Sequence, residues 1–413
     1  MNREIHRVVV TGVGAVTPIG NTAVEFWEGL RTGRNGIDRV TQFDPTDLIV
    51  QIAGEVKDWD PDVYLDRKVS RRTGRFAQFA HAAGVQALAD SGLEVTDETR
   101  DDIGVVMATS GDTFNMGPEW EVFLERGSRA VDPFIITRMG QHMGAARLAR
   151  ELGVRGPNTT INTACASGTD ALGHALNLIR LGQAQALLAG GAEAMVTQLA
   201  LSSMGRLGAL SKNNDDPEHA SRPFDANRDG FILGEGAGVL MLESEESALA
   251  RGARIYCELA GVGWSFDATD DTAPDPEGQA LAMRRAMKDA SVDPGEIDYI
   301  NAHGTSTQYN DRAETEAIKI ALGEAARRVR LSSTKSMTGH LAAGAGGIEA
   351  VASVLAMHHG VIPPTINYEV PDPGCDLDVT PNIAREAELN VVLSNSFGLG
   401  GQNATAIFRR YRG

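Results

Sequence analysis

Cys165 has the setting in this chain that most suggests covalent chemistry. It stands between a β-rich run, Thr159 to Ala164, and a run of small residues, Ala166-Ser167-Gly168. An amphipathic helix pattern begins by Thr169-Asp170. That order predicts a strand-to-helix turn with the thiol at or just before the helix N-terminus. There the helix dipole and free backbone N–H groups favour a thiolate, and the same N–H groups can hold an oxyanion. Taken alone, a free cysteine is more often a buried structural thiol. Cys257 falls inside a strand pattern and Cys375 in a Pro/Gly-rich loop, and both read as structural.

Two of the nine histidines could serve such a nucleophile. His303 sits in Asn301-Ala302-His303-Gly304-Thr305-Ser306-Thr307, and His340 in Lys335-Ser336-Met337-Thr338-Gly339-His340-Leu341, before a second Gly-rich stretch. Both are expected in loops after strands, where α/β proteins carry their sites. A histidine beside a cysteine can act as base, hydrogen-bond donor or oxyanion stabiliser; each alone is as readily a packing residue. His358-His359 ends a helix pattern and reads as compensation of its C-terminal dipole. Asn395-Ser396-Phe397-Gly398-Leu399-Gly400-Gly401 lies between two strand patterns, and its glycines let the backbone approach a ligand and move. Gly12-Val13-Gly14 lacks the third glycine of a dinucleotide loop, and neither a G-K-[ST] nor an H-E-x-x-H motif occurs. No nucleotide or metal site is expected.

The elements that must position these residues occur twice. Val8 to Gly14 and Ile255 to Gly263 are both strand-like and end in Gly-Val-Gly. Helical spacing over 75–92 is repeated over 278–291, each followed by a strand, Ile103 to Ala108 and Ile297 to Ala302. The turn and helix at 165–182 match 344–360, with Asp170 and Glu349 at the same place in the two copies. Closing strands follow at Gly238 to Leu242 and Ala404 to Phe408. Alternating strands and helices imply α/β layers, and two such halves suggest a pseudo-two-fold body whose reactive groups gather where they meet. The first half spans residues 1–250 and the second 251–413.

Bulk properties exclude whole classes. The 413 residues are 42% hydrophobic and 23% charged, an ordinary globular balance. A net charge of −17 argues against nucleic acid or anionic membrane as partner, so an acidic partner needs a local basic patch. The run Arg67-Lys68-Val69-Ser70-Arg71-Arg72-Thr73-Gly74-Arg75 carries five positive charges in nine residues; Arg206 and Lys212 are weaker candidates. Three scattered cysteines give neither a zinc spacing nor a disulfide framework, which favours a reducing compartment. Met1 to His6 run straight into a strand pattern with no apolar leader, and no uncharged apolar run reaches 18 residues. A cytoplasmic location is expected.

Together these motifs resemble the elongating β-ketoacyl-acyl-carrier-protein synthases, their second isoform above all. The likeness covers the chain from Val8-Val9-Val10 through Thr163 to Gly168, Gly190-Gly191-Ala192-Glu193, Ser221-Arg222-Pro223-Phe224-Asp225, Gly230-Phe231, the two histidine loops and Asn395 to Gly398. It implies a thiolase fold: duplicated αβαβα layered halves with mixed, mostly parallel sheets. It also implies a homodimer, and acyl carrier protein as partner; for that acidic carrier the basic run at 67–75 reads either as an electrostatic landing site or as a solvated helix-entry face. No cofactor is implied beyond the 4′-phosphopantetheine borne by that carrier. By this likeness Cys165 accepts the acyl group, and His303 and His340 act on the malonyl thioester with Lys335 and Glu349 in support. The N–H groups of Cys165 and Leu399 hold the oxyanion. Phe397, Gly398 and Leu399 form the gate loop. Thr305, Thr307 and Thr272 match positions touching the pantetheine arm, Asp112, Phe134 and Leu399 match the acyl pocket, and Asp311 and Glu314 match as structural polar partners.

Leu399 stands where a second Phe is usual, Gln402 where Thr is typical, and Asp112 where an apolar residue lines the acyl tunnel. An altered acyl-chain preference is therefore expected. A thiolase would need a second cysteine in the C-terminal Gly-rich loop, which has none, and an initiating synthase would carry Asn where His340 stands. A modular megasynthase is not expected in 413 residues. A ketosynthase of a type II polyketide or specialised-lipid pathway shares these residues, whereas a non-catalytic chain-length-factor-like partner would lack the cysteine.

Overall fold

The computed structural model of the protein describes residues 5–413; residues 1–4, on which the leader reading partly falls, lie outside them. The main elements are, in order, β1 (Val8–Val16), α1 (Arg75–Ser91), β2 (Ile103–Ala108), β3 (Asn158–Ile161), α2 (Ser167–Arg180), β4 (Ala186–Ala194) and β5 (Glu235–Ser244). Then come β6 (Cys257–Phe266), α3 (Pro276–Ala290), β7 (Tyr299–Asn301), α4 (Gln308–Leu322), β8 (Arg330–Ser332), α5 (Ala345–His359), β9 (Val391–Phe397) and β10 (Gln402–Arg409). The local chemistry accounts for the boundaries. Thr307 caps α4 by accepting from Asn310 N–H, Asp275 caps α3 ahead of Pro276, and α1 and α5 stop at Gly92 and Gly360 in left-handed conformation.

The strands lie in the order β8-β7-β9-β10-β6-β1-β5-β4-β2-β3. Read outward from its centre, the sheet carries the same arrangement twice: 1-5-4-2-3 on one side and 6-10-9-7-8 on the other. In each half four strands run one way and the closing strand, β5 or β10, runs against them. The halves join through the antiparallel pairs Val9↔Glu258 and Val10↔Cys257. Helix α1 packs on β1, β4 and β5, and α3 on β6 and β10, as the outer layers. Helices α2 and α5 touch strands of both halves and each other, forming the middle layer. Helix α5 is buried from Ala345 through Met357, as a helix with apolar residues on every side must be.

The middle layer is tight because its helix starts are glycines. A Cβ on Gly168 would lie 2.6 Å from Gly347 N, and one on Gly347 would lie 2.4 Å from Gly238 O. Only bare backbone allows α2, α5 and β5 this approach. His358 and His359 end α5 as expected, but not as dipole-compensating cations. His359 stacks on Trp27 at 4.7 Å and His358 meets Tyr256 edge-on at 5.0 Å. Burial holds both imidazoles below their ordinary range. Asp170 and Glu349 also diverge: Asp170 accepts from Thr163 Oγ1 at 2.9 Å, while Glu349 pairs with Lys335.

Gly347→Ala is expected to destabilise the protein by about 1–3 kcal/mol through forced backbone displacement. Gly117→Ala, where no atom lies within 4 Å of the added methyl, is expected to be neutral or stabilising, as alanine is in an exposed helix. Urea midpoints of the two variants check the contrast.

Candidate active site

Cys165 stands on the expected turn. β3 ends at Ile161, Ala164 takes φ +51°, and α2 begins at Ser167. Ser167 fastens the turn, accepting from Thr163 N–H at 2.7 Å and donating to Ala164 O at 2.5 Å. The Gly-rich loop after β9 closes over it. Thr169 and Ser396 share a hydroxyl hydrogen bond of 2.8 Å, and a Cβ on Gly398 would lie 2.7 Å from Thr163 O. This brings the Leu399 N–H close enough to the Cys165 sulfur to favour its thiolate form.

The helix-start argument for a ready thiolate needs correction. Burial pushes the Cys165 thiol above its ordinary range. The Leu399 N–H and the Lys335 ammonium pull it back without cancelling that effect, and Glu193 and Glu349 add to the rise. Unmodified Cys165 rests as a thiol. Cys257 and Cys375 are buried, and burial raises both thiols, Cys375 to about 11.

His303 directly follows β7. His340 does not follow a strand directly: a helical turn, Lys335–Thr338, intervenes after β8, and Gly339 at φ +71° redirects the chain. The rings meet edge to face with centroids 5.2 Å apart, and both residues are buried. Phe397 packs on His303 at 5.6 Å and Phe231 on His340 at 5.3 Å. Glu314 on α4 holds the first loop, accepting from His303 N–H at 2.8 Å and Gly304 N–H at 2.7 Å. Lys335 Nζ donates to His303 O at 2.7 Å, lies 3.4 Å from His303 Nδ1 and pairs closely with Glu349.

Burial, then the Lys335 charge, holds both imidazoles well below their ordinary range, so both are neutral near pH 7. Their tautomers follow from their partners. Ala342 N–H donates to His340 Nδ1 at 3.2 Å, which leaves the proton on Nε2. The Lys335 ammonium at His303 Nδ1 selects the same tautomer. The cluster therefore offers two neutral N–H donors backed by a lysine, beside a cysteine with its own N–H donor. It can stabilise negative charge on a carbonyl oxygen while the sulfur holds an acyl group.

The other candidates divide. Thr305 and Thr307 lie in the His303 loop with hydroxyls 3.0 Å apart. Exposed Thr272 bonds Asp270, and its neighbour Asp271 accepts from Gly400 N–H at 2.9 Å, so that loop abuts the gate. Leu399 is 56% exposed. Asp112 is buried, bonded to Asn115 and, through its N–H, to Met139 O. Burial raises its carboxyl. Phe134 is 38% exposed, with the Arg72 guanidinium 4.1 Å above its ring. Arg67, Lys68, Arg71 and Arg72 are exposed on one short helical segment. Arg75 leaves that group: it turns inward and forms a fork with buried Glu235 at 2.6 and 2.9 Å, which neutralises it.

The sequence reading gave no role to Glu193, although its motif was in view. Its carboxyl is fully enclosed, receives Ser110 N–H at 3.1 Å and leaves Oε1 without a partner. Burial raises it to about 7, and it adds to the rise of the Cys165 thiol. A lone Glu after two glycines carries no local sign of such burial.

The β-ketoacyl synthase N-terminal domain matches residues 6–248 and the C-terminal domain of the same family residues 256–369. The chain is 49% identical to the 3-oxoacyl-[acyl-carrier-protein] synthase 2 of Synechocystis sp., covering all of both chains. It is 45% identical to the enzyme of that name from Vibrio harveyi, over 98% of each. Among solved structures it is similar to a chain of a type II polyketide acyl-carrier protein in complex with its ketosynthase. The TM-score is 0.89 at 35% identity, over 99% of this chain and 100% of that one.

Alkylation of Cys165 by iodoacetamide is expected to rise with pH through a midpoint above the ordinary cysteine value of about 8.5. Lys335→Ala is expected to move that midpoint higher, because it removes the positive charge that favours the thiolate. Rate against pH, with the modified residue identified by mass, checks both; a midpoint below the ordinary value contradicts the burial argument.

Proposed function

The chain belongs to the β-ketoacyl synthase family, and we propose that it works as an elongating 3-oxoacyl-acyl-carrier-protein synthase with Cys165 as nucleophile. The observation that carries the role assignments is the pairing of one cysteine with two neutral imidazoles whose Nδ1 atoms are already engaged.

In the first half-reaction the Cys165 sulfur attacks the thioester carbonyl of an acyl carrier protein. The new S–C bond replaces the bond to the phosphopantetheine sulfur, which departs with the thiol proton. The N–H groups of Cys165 and Leu399 receive the tetrahedral oxyanion. Malonyl carrier protein then binds with its thioester oxygen toward Nε2 of His303 and His340. The bond to its free carboxylate breaks, CO2 leaves, and the electron pair passes into an enolate held by the two imidazoles. The enolate carbon attacks the Cys165-bound acyl carbonyl, and collapse expels the thiolate. The product is a 3-oxoacyl chain two carbons longer, still on the carrier. Decarboxylation generates the nucleophile, so no strong base is needed, and no cofactor of the enzyme's own enters.

Burial, with the Lys335 charge behind it, keeps the imidazoles neutral, and Glu349 balances that charge. Thr305, Thr307 and Thr272 face the pantetheine arm, and Phe397, Gly398 and Leu399 form the gate. The exposed cluster Arg67, Lys68, Arg71 and Arg72 is the landing site for the acidic carrier on a protein of net charge −17. The two halves, 1–250 and 251–413, supply the nucleophile and the histidines respectively. A cytoplasmic homodimer fits three free cysteines and the exposed Trp120, Leu124 and Ile136 beside Phe134. No helix among the described residues is long and apolar enough to cross a membrane. The polyketide reading has support at 35% identity, against 49% for the fatty-acid relative. A chain-length-factor role is disfavoured by Cys165 in its turn.

Cys165→Ala is expected to abolish condensation and cerulenin labelling while malonyl decarboxylation persists. His303→Ala is expected to slow decarboxylation about 10²–10³-fold. Both are read by CO2 release and 3-oxoacyl product; an active, unlabelled Cys165→Ala enzyme would falsify the assignment. Decarboxylation by Cys165→Ala is expected to stay level from about pH 8 down through the ordinary histidine value of about 6.5. It then falls, as pH drops through the depressed imidazole values and the rings gain protons. Leu399→Phe is expected to shift turnover among acyl chain lengths, compared over a series of acyl carrier proteins; an unchanged, ordinary long-chain profile in both enzymes sinks the idea of an altered gate.

A further inference from the structure

Ser306 lies between the two threonines assigned above to the pantetheine arm, and its φ is +71°. Phe224, in the facing loop, has φ +66°. Neither is glycine, so each holds a strained conformation that persists only where its surroundings impose it. A single carboxylate grips both. Asp311 Oδ1 accepts from Ser306 N–H at 3.2 Å and Oδ2 from Phe224 N–H at 2.8 Å.

Asp311 is buried, and its charge faces Arg228 Nε at 3.3 Å. The Arg228 side chain is itself wholly enclosed. The same Nε donates to Thr307 O at 3.0 Å, and the terminal nitrogens reach Gln308 O at 3.2 Å, Asp225 O at 2.6 Å and Asp372 Oδ2 at 2.8 Å. Gln308 Nε2 returns a bond to Arg228 O at 2.6 Å. One guanidinium therefore ties Thr307 and Gln308 to the loops of Asp225 and Asp372. Asp311 and Glu314 stand three residues apart on α4, on neighbouring positions of one face. They grip different parts of one loop: Glu314 the His303–Gly304 end, Asp311 the Ser306 end.

We infer that Asp311 and Arg228 form a positioning pair that holds Thr305-Ser306-Thr307 in the strained geometry needed to receive the phosphopantetheine arm, separately from the Glu314 grip on the catalytic histidine. This rests on the function proposed above and specifies how its site recognises the carrier-borne arm. Charge-assisted bonds from one carboxylate to two N–H groups supply the hold that neutral contacts would not. The enclosed guanidinium is what makes that buried carboxylate tolerable.

The test compares malonyl carrier protein with malonyl methylthioester, which carries the reacting carbons without the arm, on full-length enzyme. For Asp311→Asn and Arg228→Lys, KM for the carrier-borne substrate is expected to rise about ten-fold with kcat within about two-fold, while kcat/KM for the methylthioester stays within about two-fold. Glu314→Gln is expected to lower kcat on both. The double variant Asp311→Asn/Arg228→Met removes the two charges together while Arg312 still pairs with Asp372, and should show the same split if either single variant fails to fold. Parallel losses on both thioesters, or no loss on either, overturn the inference. Wild-type enzyme that processes neither thioester overturns the proposed function and the inference with it.

Discussion

The Lys335 ammonium is the group on which the site hangs. It is enclosed in the middle of the molecule, where an unpaired charge is not tolerated, and Glu349 on helix α5 balances it. Removing one partner of such a buried pair typically costs about 3–5 kcal/mol, because the other is left charged and dry. The pair joins the short helix Lys335–Thr338 to α5, and the same ammonium grips the carbonyl and ring of His303. One buried charge thus holds together the two loops that carry the histidines.

That cation shapes the titration of everything near it. It lowers both imidazoles and the Cys165 thiol, while burial lowers the imidazoles further and raises the thiol past the point the lysine can offset. Burial also lifts Glu193, Glu314 and Glu349 each to about 7. Carboxyls so close to neutrality limit the charge confined in the core. The outcome suits a condensing enzyme, whose steps build negative charge on carbonyl oxygens: neutral N–H donors stand ready, and neither imidazole is in the acidic, protonated form that would quench an enolate.

The glycine contacts of the middle layer make this possible. Because α2 and α5 start on bare backbone, the cysteine turn and the lysine–glutamate pair lie within one layer of each other. The duplicated halves supply the two helices, and the carboxylates of α4 then fix the loop that leads outward to the carrier.

Much of this was legible in the sequence. The repeated strand–helix order, the turn at Cys165 and the glycine-flanked histidines are local patterns, set by side-chain periodicity and backbone freedom over a few residues, and they stand where the pattern placed them. What depends on distant partners was not legible. Arg75 reads as one of five surface cations until Glu235, 160 residues away, neutralises it. His358 and His359 read as cations until burial, and for His358 the Arg254 charge, lower their imidazoles. The resting charge of Cys165, the tautomers of its histidines and the grip of Asp311 and Arg228 on Ser306 follow from burial and from charges brought together across the fold. The chain alone determined which groups could do chemistry; tertiary structure decided their protonation and geometry, because both are set by neighbours that sequence proximity does not supply.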